Sequence, residues 1–353
     1  RKVINIVKDY DDQTIVVLSA FGKTTDNILY CGKLASEKNK DYLQEFKKIE
    51  SFHYDIIRSS VDINFQVKIL TKVQQILLDL ESILNGIFGV GELSDGIEKK
   101  ISTFGEILSS NIFYHISKYH NLKSDYFDSR KIIFIKKSTT NNIIVDFEKT
   151  KKKLNEKLKN SSAELIIMPG FIASDSENNT TTLGRGGSDF TASIICSLLS
   201  GKKLDIWTDV SGMYTANPKI VKQAKPIQKL SYEEAMELSY FGAKVIYPPT
   251  IQPLISKKIL INIKNTFKPK DEGSVIGIKS NNKFSAIKGI SHIEDISLIT
   301  LEGSGMIGIP GYSKRLFECL SRGNVNIVMI TQASSEHSIC IGIKSSDEKN
   351  ASL

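Results

Sequence analysis

Eight consecutive residues, Thr182-Leu183-Gly184-Arg185-Gly186-Gly187-Ser188-Asp189, put three glycines, a guanidinium, a hydroxyl and a carboxylate into one short loop. The run before them, Ala163-Glu164-Leu165-Ile166-Ile167-Met168, reads as a buried strand, and residues 190–199 read as a helix. A helix entered through such a loop exposes unpaired backbone N–H groups and the positive end of its dipole, and anions settle there. Glycines let the backbone approach an anion, Arg185 adds a fork for a carboxylate or phosphate, and Ser188 is expected to cap the helix. The plain alternative for a glycine-rich turn is tight packing. The arginine and the Ser-Asp pair favour an anion site.

A second constellation follows. Trp207-Thr208-Asp209-Val210-Ser211-Gly212-Met213-Tyr214-Thr215 closes another apolar strand and leads to Asn217-Pro218-Lys219. Beyond it, residues 231–245 read Ser-Tyr-Glu-Glu-Ala-Met-Glu-Leu-Ser-Tyr-Phe-Gly-Ala-Lys-Val. Ser231 and Glu234 have capping-box spacing, so a helix is expected to start there, with Gly242 ending it near Lys244. With Val17-Leu18-Ser19-Ala20 and the Gly-Arg-Gly-Gly-Ser-Asp loop, these motifs strongly resemble the aspartate kinases of the amino-acid-kinase superfamily, over nearly the whole chain. The phrasing of Gly170-Phe171-Ile172-Ala173-Ser174 and of Gln332-Ala333-Ser334-Ser335-Glu336-His337-Ser338 is most similar to the kinase part of bifunctional aspartate kinase–homoserine dehydrogenases.

The resemblance implies an α/β protein: a three-layer α/β/α amino-acid-kinase fold over 1–279 with a helical insertion at about 33–121, then a partial ACT module, ferredoxin-like α+β, over 280–353. It implies ATP and Mg²⁺ as cofactors and phosphorylation of the β-carboxylate of L-aspartate. Such a nucleophile is already ionised at neutral pH and needs no general base. The work is to bring two anions together and neutralise charge on the transferred group, which suits arginine, lysine, hydroxyls and glycine. By resemblance, Arg185 clamps the α-carboxylate with Ser188 and the Gly186 backbone assisting, Glu106 binds the ammonium, and Ser19 and Thr25 line the substrate pocket. Asp189 either organises charge around the phosphates or only complements the helix dipole. Thr208, Asp209 and Tyr214 match positions that hold the nucleoside, and Lys244 a lysine on the phosphate or adenine side. Lys219 stands where the family has arginine, which keeps the charge but loses the planar fork. Tyr247-Pro248-Pro249 replaces His-Pro-Arg, with a structural consequence only. By the resemblance, the strand that carries the family's Lys-Phe-Gly-Gly lysine is expected ahead of residue 1, and Phe21-Gly22-Lys23 follows the wrong strand to replace it.

These motifs need positioning elements. Thr14 to Ser19 reads as a strand. Leu70, Val73, Ile76, Leu77, Leu80, Ile83 and Leu84 form one apolar helical stripe, Leu93 to His120 reads as one further helix, and strands resume at Lys131 to Ile135. The C-terminal part reads β-α-β-β: 296–301, 312–322, 325–330 and 339–343. There the expected effector pocket is the Gly303–Gly308 loop with Gly305, facing the 324–326 turn with Asn326 and the strand end with Ile330 and Gln332. Gln332 suits a small hydroxylated effector, with threonine favoured over lysine, or merely satisfies backbone. ACT modules of the family pair across subunits, so a dimer or larger is expected.

Composition narrows the classes further. Among 353 residues, 47 Lys and Arg against 39 Asp and Glu give +8, but the lysines are spread among Asn and Ile without a stacking aromatic patch, so a nucleic-acid partner is not expected. No apolar run reaches membrane-span length. Cys31, Cys196, Cys319 and Cys340 are far apart, which reads as reduced thiols of a cytoplasmic protein rather than a disulfide or metal framework. A non-enzymatic amino-acid sensor that has lost the catalytic lysine is the rival reading.

Overall fold

A computed structural model describes residues 2–136, 143–240, 245–280, 287–306, 308–332 and 338–352. Lys244 therefore lies outside the described residues, as does the 333–337 part of the second motif. The chain divides into two units, Arg1–Ile290 and Ser291–Leu353. The division falls beyond the expected 279/280 because the 287–290 stretch is tied back to the first unit. The Ile290 amide donates to the Thr215 carbonyl at 2.8 Å, and Lys288 pairs with Glu234 at 2.8 Å.

The first unit opens with α1 (Lys2–Lys8), β1 (Thr14–Leu18), α2 (Thr24–Ser36), α3 (Tyr42–Ser60), α4 (Ile63–Val90), α5 (Asp95–Ser102) and α6 (Phe104–Tyr119). The stripe read on α4 is buried at Val73, Ile76, Leu77, Leu80 and Leu84, with Leu70 and Ile83 packed against the same core. The single helix expected from Leu93 to His120 is instead two. Ser102 and Thr103 turn their hydroxyls onto the carbonyls of Lys99 and Lys100, both at 2.7 Å, and the helix breaks there. This break sets the start of α6, which carries Gly105 and Glu106.

Next come β2 (Ser124–Tyr126), β3 (Ile135–Lys136), β4 (Ile144–Val145), α7 (Phe147–Lys159), β5 (Leu165–Pro169), β6 (Ile172–Ser174), β7 (Thr180–Thr182) and α8 (Gly187–Leu198). β2 was not expected, since Ser-Asp-Tyr is short and polar; it forms because β5 supplies a parallel edge. β1 lies on the other side of β5, giving the order β1-β5-β2. β5 is buried along its whole length and reads as the apolar run of a parallel sheet. The unit ends with β8 (Lys203–Thr208), β9 (Lys229–Ser231), α9 (Tyr232–Tyr240), α10 (Gln252–Ile255), β10 (Leu260–Asn265) and β11 (Ser274–Gly277), with sheet order β8-β10-β11-β9. α8 packs against both β1 and β8, the edge strands of their sheets. Helices cover parallel strands, as the α/β reading requires.

The second unit holds β12 (Ile296–Glu302), α11 (Tyr312–Arg322), β13 (Ile327–Thr331), β14 (Ser338–Lys344) and α12 (Glu348–Ser352). The sheet order β12-β14-β13 is antiparallel, over a core of Leu320, Val325, Ile339, Ile341 and Ile343. Among the described residues no helix is long and apolar enough to cross a membrane, and the four cysteines are free.

The capping box read from sequence is formed: the Ser231 amide donates to Glu234 Oε2 at 2.8 Å and the Glu234 amide to Ser231 Oγ at 3.1 Å. Ser231→Ala is expected to cost about 1 kcal/mol, read as a lower urea midpoint with unchanged slope.

Candidate functional site

β1 and β5 run parallel and in register from Thr14↔Leu165 to Leu18↔Pro169, so their carboxyl ends open on one edge. Ligands of open α/β sheets bind at such edges. After β1, the Ala20 amide donates to Glu106 Oε1 at 3.3 Å, and Ser109 Oγ on α6 donates to the Ser19 carbonyl at 2.8 Å. After β5, the Gly170 amide donates to the Leu18 carbonyl at 2.9 Å. Gly170 also lies against α8 so closely that a Cβ there would be 2.6 Å from Ser188 Oγ. A continuous run of contacts therefore joins Glu106, Ser19 and Ser188. Thr25, at the start of α2, joins this group through Gly105, where a Cβ would be 2.6 Å from Thr25 Oγ1 and 2.8 Å from the Ala20 Cβ.

Glu106 is only 6% exposed. Its Oε2 and Thr25 Oγ1 are buried without a partner, two acceptors in want of donors. Burial raises the Glu106 carboxyl from its ordinary 4.5 to about 7, against a smaller opposing effect of backbone hydrogen bonds, one of them from Ala20. A cationic ammonium would satisfy the free oxygen and restore the carboxylate.

Ser188 does not cap α8. Gly186 takes the cap position at φ 66°, a left-handed conformation natural to glycine, with no side-chain cap bond. A Cβ on Gly186 would also lie 2.4 Å from the Tyr247 Cβ. Arg185 is exposed at the loop tip. Asp189 stands in the first turn of α8, still touched by solvent, and burial alone raises its carboxyl to about 6.

At the end of β8, the Thr208 carbonyl accepts from the Thr266 amide at 2.8 Å and its hydroxyl donates to the exposed Asp209 at 3.2 Å. Tyr214, half-buried, is bridged to Pro226, and the residue before it is fixed by Ser274 Oγ, which accepts from the Met213 amide at 2.8 Å. Lys219 is exposed in the following turn, its amide held by Asn217 Oδ1 at 3.0 Å. Trp207, at the end of this apolar strand, is only half-buried: its Nε1 donates to Tyr10 Oη at 3.2 Å and Lys264 lies over its ring. The edge position of β8 leaves one face of the indole to such neighbours.

The residues expected to form the effector pocket divide between the two ends of one sheet. β12 and β13 lie on opposite sides of β14 and run in the same direction, with Glu302 opposite Ser338 and Thr331 opposite Cys340. Gly305, Ile330 and Gln332 therefore share one end of the sheet. Asn326 precedes β13 at the other end, a strand length away. Gly305, Asn326, Ile330 and Gln332 are all exposed.

Sequence reasoning passed over Gly105 and Gly170 as packing partners, Tyr247 against Gly186, and Ser129, whose hydroxyl donates to the Pro169 carbonyl. Only the glycines carried a local signal, since each stands beside a motif residue. Among the described residues no group of three metal-ligating side chains exists. A magnesium ion carried by a triphosphate needs only one or two carboxylates, and Asp189, half-buried and with no offsetting charge among the described residues, fits that demand.

Two outcomes follow from this geometry. The folded, ligand-free protein holds a proton on Glu106 between about pH 4.5 and 7 that the unfolded chain has released. Its stability therefore falls as pH rises through that window, by about 3 kcal/mol at most. Asp189 adds to the fall at lower pH. Glu106→Gln is expected to flatten the dependence, checked by urea unfolding at about pH 5 and about pH 8. Gly105→Ala forces α6 off the residues that follow β1, and a loss of about 1–3 kcal/mol is expected in the same measurement.

The chain matches the amino acid kinase family over residues 1–265 and the ACT domain over 299–352. It is 33% identical over 343 residues to bifunctional aspartokinase/homoserine dehydrogenase 2 of Arabidopsis thaliana, covering 96% of this chain and 37% of the relative. It is 34% identical to the bifunctional enzyme of Buchnera aphidicola, covering 93% of this chain and 40% of the relative. The chain thus spans about two fifths of these relatives. Among solved structures, E. coli aspartokinase III in complex with aspartate and ADP superposes with a TM-score of 0.82 at 25% identity, covering 98% of this chain and 75% of that one. With a glycine-built helix entrance and a buried glutamate on one sheet edge, and an ACT module after it, this chain belongs to the amino acid kinase family.

Proposed function

We propose that this chain is the kinase part of an aspartate kinase, transferring the γ-phosphoryl group of ATP to the β-carboxylate of L-aspartate. The observation that carries this reading is the pairing, on one sheet edge, of an unsatisfied buried carboxylate with a glycine-built helix entrance. One end of the site takes a cation and the other an anion, which is the charge pattern of an α-amino acid. The aspartate–ADP complex of aspartokinase III supports the choice of substrates.

In this reading the substrate ammonium donates to Glu106 Oε2 and Thr25 Oγ1. The α-carboxylate lies on the Arg185 guanidinium and the first turn of α8, with Ser188 and the Gly186 backbone beside it. The β-carboxylate, held near Ser19, attacks the γ-phosphorus; an O–P bond forms to it as the bond to the β-phosphate oxygen breaks, and ADP leaves. Mg²⁺ held by Asp189 would neutralise phosphate charge. Thr208, Asp209 and Tyr214 hold the nucleoside, and Lys219 and Lys244 supply charge on the phosphate side. No side chain need remove a proton, since the nucleophile is ionised before it binds. The family relation of this chain to bifunctional enzymes supports a homoserine dehydrogenase partner domain in the whole protein.

Regulation follows the ACT module. Gln332, Ile330 and Gly305 share one sheet end and are assigned to a small hydroxylated amino acid, threonine, in an oligomer that pairs ACT modules. A solved relative binds lysine together with aspartate, which makes lysine the competing effector.

The deciding experiment is ADP release by the full-length protein as a function of L-aspartate. Dependence on aspartate supports the kinase; its absence across nucleotides and acidic amino acids leaves the inert sensor. Arg185→Ala is expected to raise the KM for aspartate by an amount equivalent to about 2–3 kcal/mol, with the KM for ATP little changed. Inhibition by threonine and not lysine is expected, weakened by Gln332→Ala; dose–response curves with both amino acids check it.

A further inference from the structure

Behind the β5 edge lies a turn that the chemistry above does not use, and it is tightly built. Asp128, Ser129 and Arg130 follow β2. Asp128 Oδ1 accepts from the Arg130 amide at 3.0 Å, and its two oxygens hold the guanidinium, Nε at 3.0 and 3.1 Å and Nη2 at 2.7 Å. Ser129 is fully buried, and its hydroxyl donates to the Pro169 carbonyl. The Arg130 carbonyl accepts from Ser174 Oγ at 2.7 Å, and the Ile133 carbonyl from the Ser174 amide at 2.9 Å. The turn therefore grips the 169–174 segment at both ends.

Between the grips stands Phe171 at φ 68°, left-handed backbone on a bulky residue, which persists only where its surroundings hold it. On its other side the segment meets α8. The Phe171 amide donates to Thr191 Oγ1 at 3.0 Å, and a Cβ on Gly187 would lie 2.7 Å from the Phe171 ring. Gly170 faces Ser188 in the same way.

We propose that Ser129, oriented by the Asp128–Arg130 fork, is a positioning residue for the carboxylate end of the substrate pocket. Its bond to Pro169 fixes the height at which Gly170 and Phe171 meet the first turn of α8. This inference rests on the aspartate reading above. Ser129 touches no substrate and acts through the segment it holds. Without its hydroxyl the Pro169 carbonyl loses its buried donor, Phe171 relaxes towards an ordinary φ, and Gly170 moves off Ser188. The distance between Glu106 and the entrance of α8, which the substrate must span, then changes.

The test compares aspartate and ATP kinetics, with calorimetric titration of aspartate, for the full-length protein and its Ser129→Ala and Asp128→Asn variants. For Ser129→Ala the KM and Kd for aspartate are expected to rise about tenfold, with kcat and the KM for ATP within about twofold. Asp128→Asn keeps an acceptor for the Arg130 amide but weakens the fork, and a rise of about threefold is expected. A merely structural role would reduce the amount of folded protein and leave the KM of the remainder unchanged; that result overturns the proposal. Should Ser129→Ala not fold, an unchanged aspartate KM in Asp128→Asn overturns it as well. If the unaltered protein binds no aspartate, the parent reading and this inference fall together. If Arg185→Ala raises the aspartate KM and Ser129→Ala does not, this inference alone is wrong.

Discussion

The parallel register between β1 and β5 is what the rest of the site depends on. Five paired positions bring Leu18 level with Pro169, and the bond from the Gly170 amide to the Leu18 carbonyl locks the two loops that follow. A one-residue slip would turn every side chain on β1 to the other face and move Ser19 and Ala20 away from Glu106. Burial makes such a slip costly. β5 is enclosed along its whole length, and its apolar side chains divide between two cores on opposite sides of the sheet: Leu165 and Ile167 in one, Ile166 and Met168 in the other.

On this base two opposite electrostatic environments stand close together. The entrance of α8 after Gly186 is the positive end of a helix dipole, with the exposed Arg185 guanidinium beside it. The recess under α6 offers a buried carboxyl oxygen and a hydroxyl that have no partner. Each is unfavourable on its own, since an unpaired buried acceptor costs free energy and a helix end exposes orphan N–H groups. A zwitterion with a carboxylate at one end and an ammonium at the other relieves both. Glu106 and Asp189 share a direction of perturbation, both carboxyls pushed up by burial, and among the described residues no cation offsets it. That is the electrostatic pattern of a site built for a charged partner from outside.

Close backbone approach is the second constraint. Gly105 brings α6 onto Thr25 and Ala20, Gly170 brings β5 onto Ser188, and Gly186 brings the α8 entrance onto Tyr247. At each, a methyl group would meet an atom at 2.6 Å or less. The strained backbone at Phe171 belongs to the same set, held between the Ser129 turn on one side and Thr191 on the other.

By itself the sequence determined the α/β class, the apolar stripe of α4, the capping box of α9 and the β-α-β-β order of the second unit. These are local properties: periodicity, turn chemistry and cap spacing act over a few residues and survive without knowledge of neighbours. The residue types of the site were legible for the same reason, because a glycine-rich loop before a helix carries its chemistry in its own backbone. Tertiary structure decided what depends on partners distant in the chain. β2 is a strand only because β5 offers it an edge, and Trp207 is half-buried because β8 is an edge strand. The break at Thr103 follows from side chains turning back onto their own helix, a choice that residue type permits but does not compel. Gly305 shares a sheet end with Ile330 and Gln332 because β14 inserts between β12 and β13, antiparallel to both, and so sets those two strands in one direction. Glu106 looks like an ordinary helix glutamate in sequence, and only packing of α6 on the β1 end, residues far apart in the chain, buries its carboxyl and leaves one oxygen without a donor.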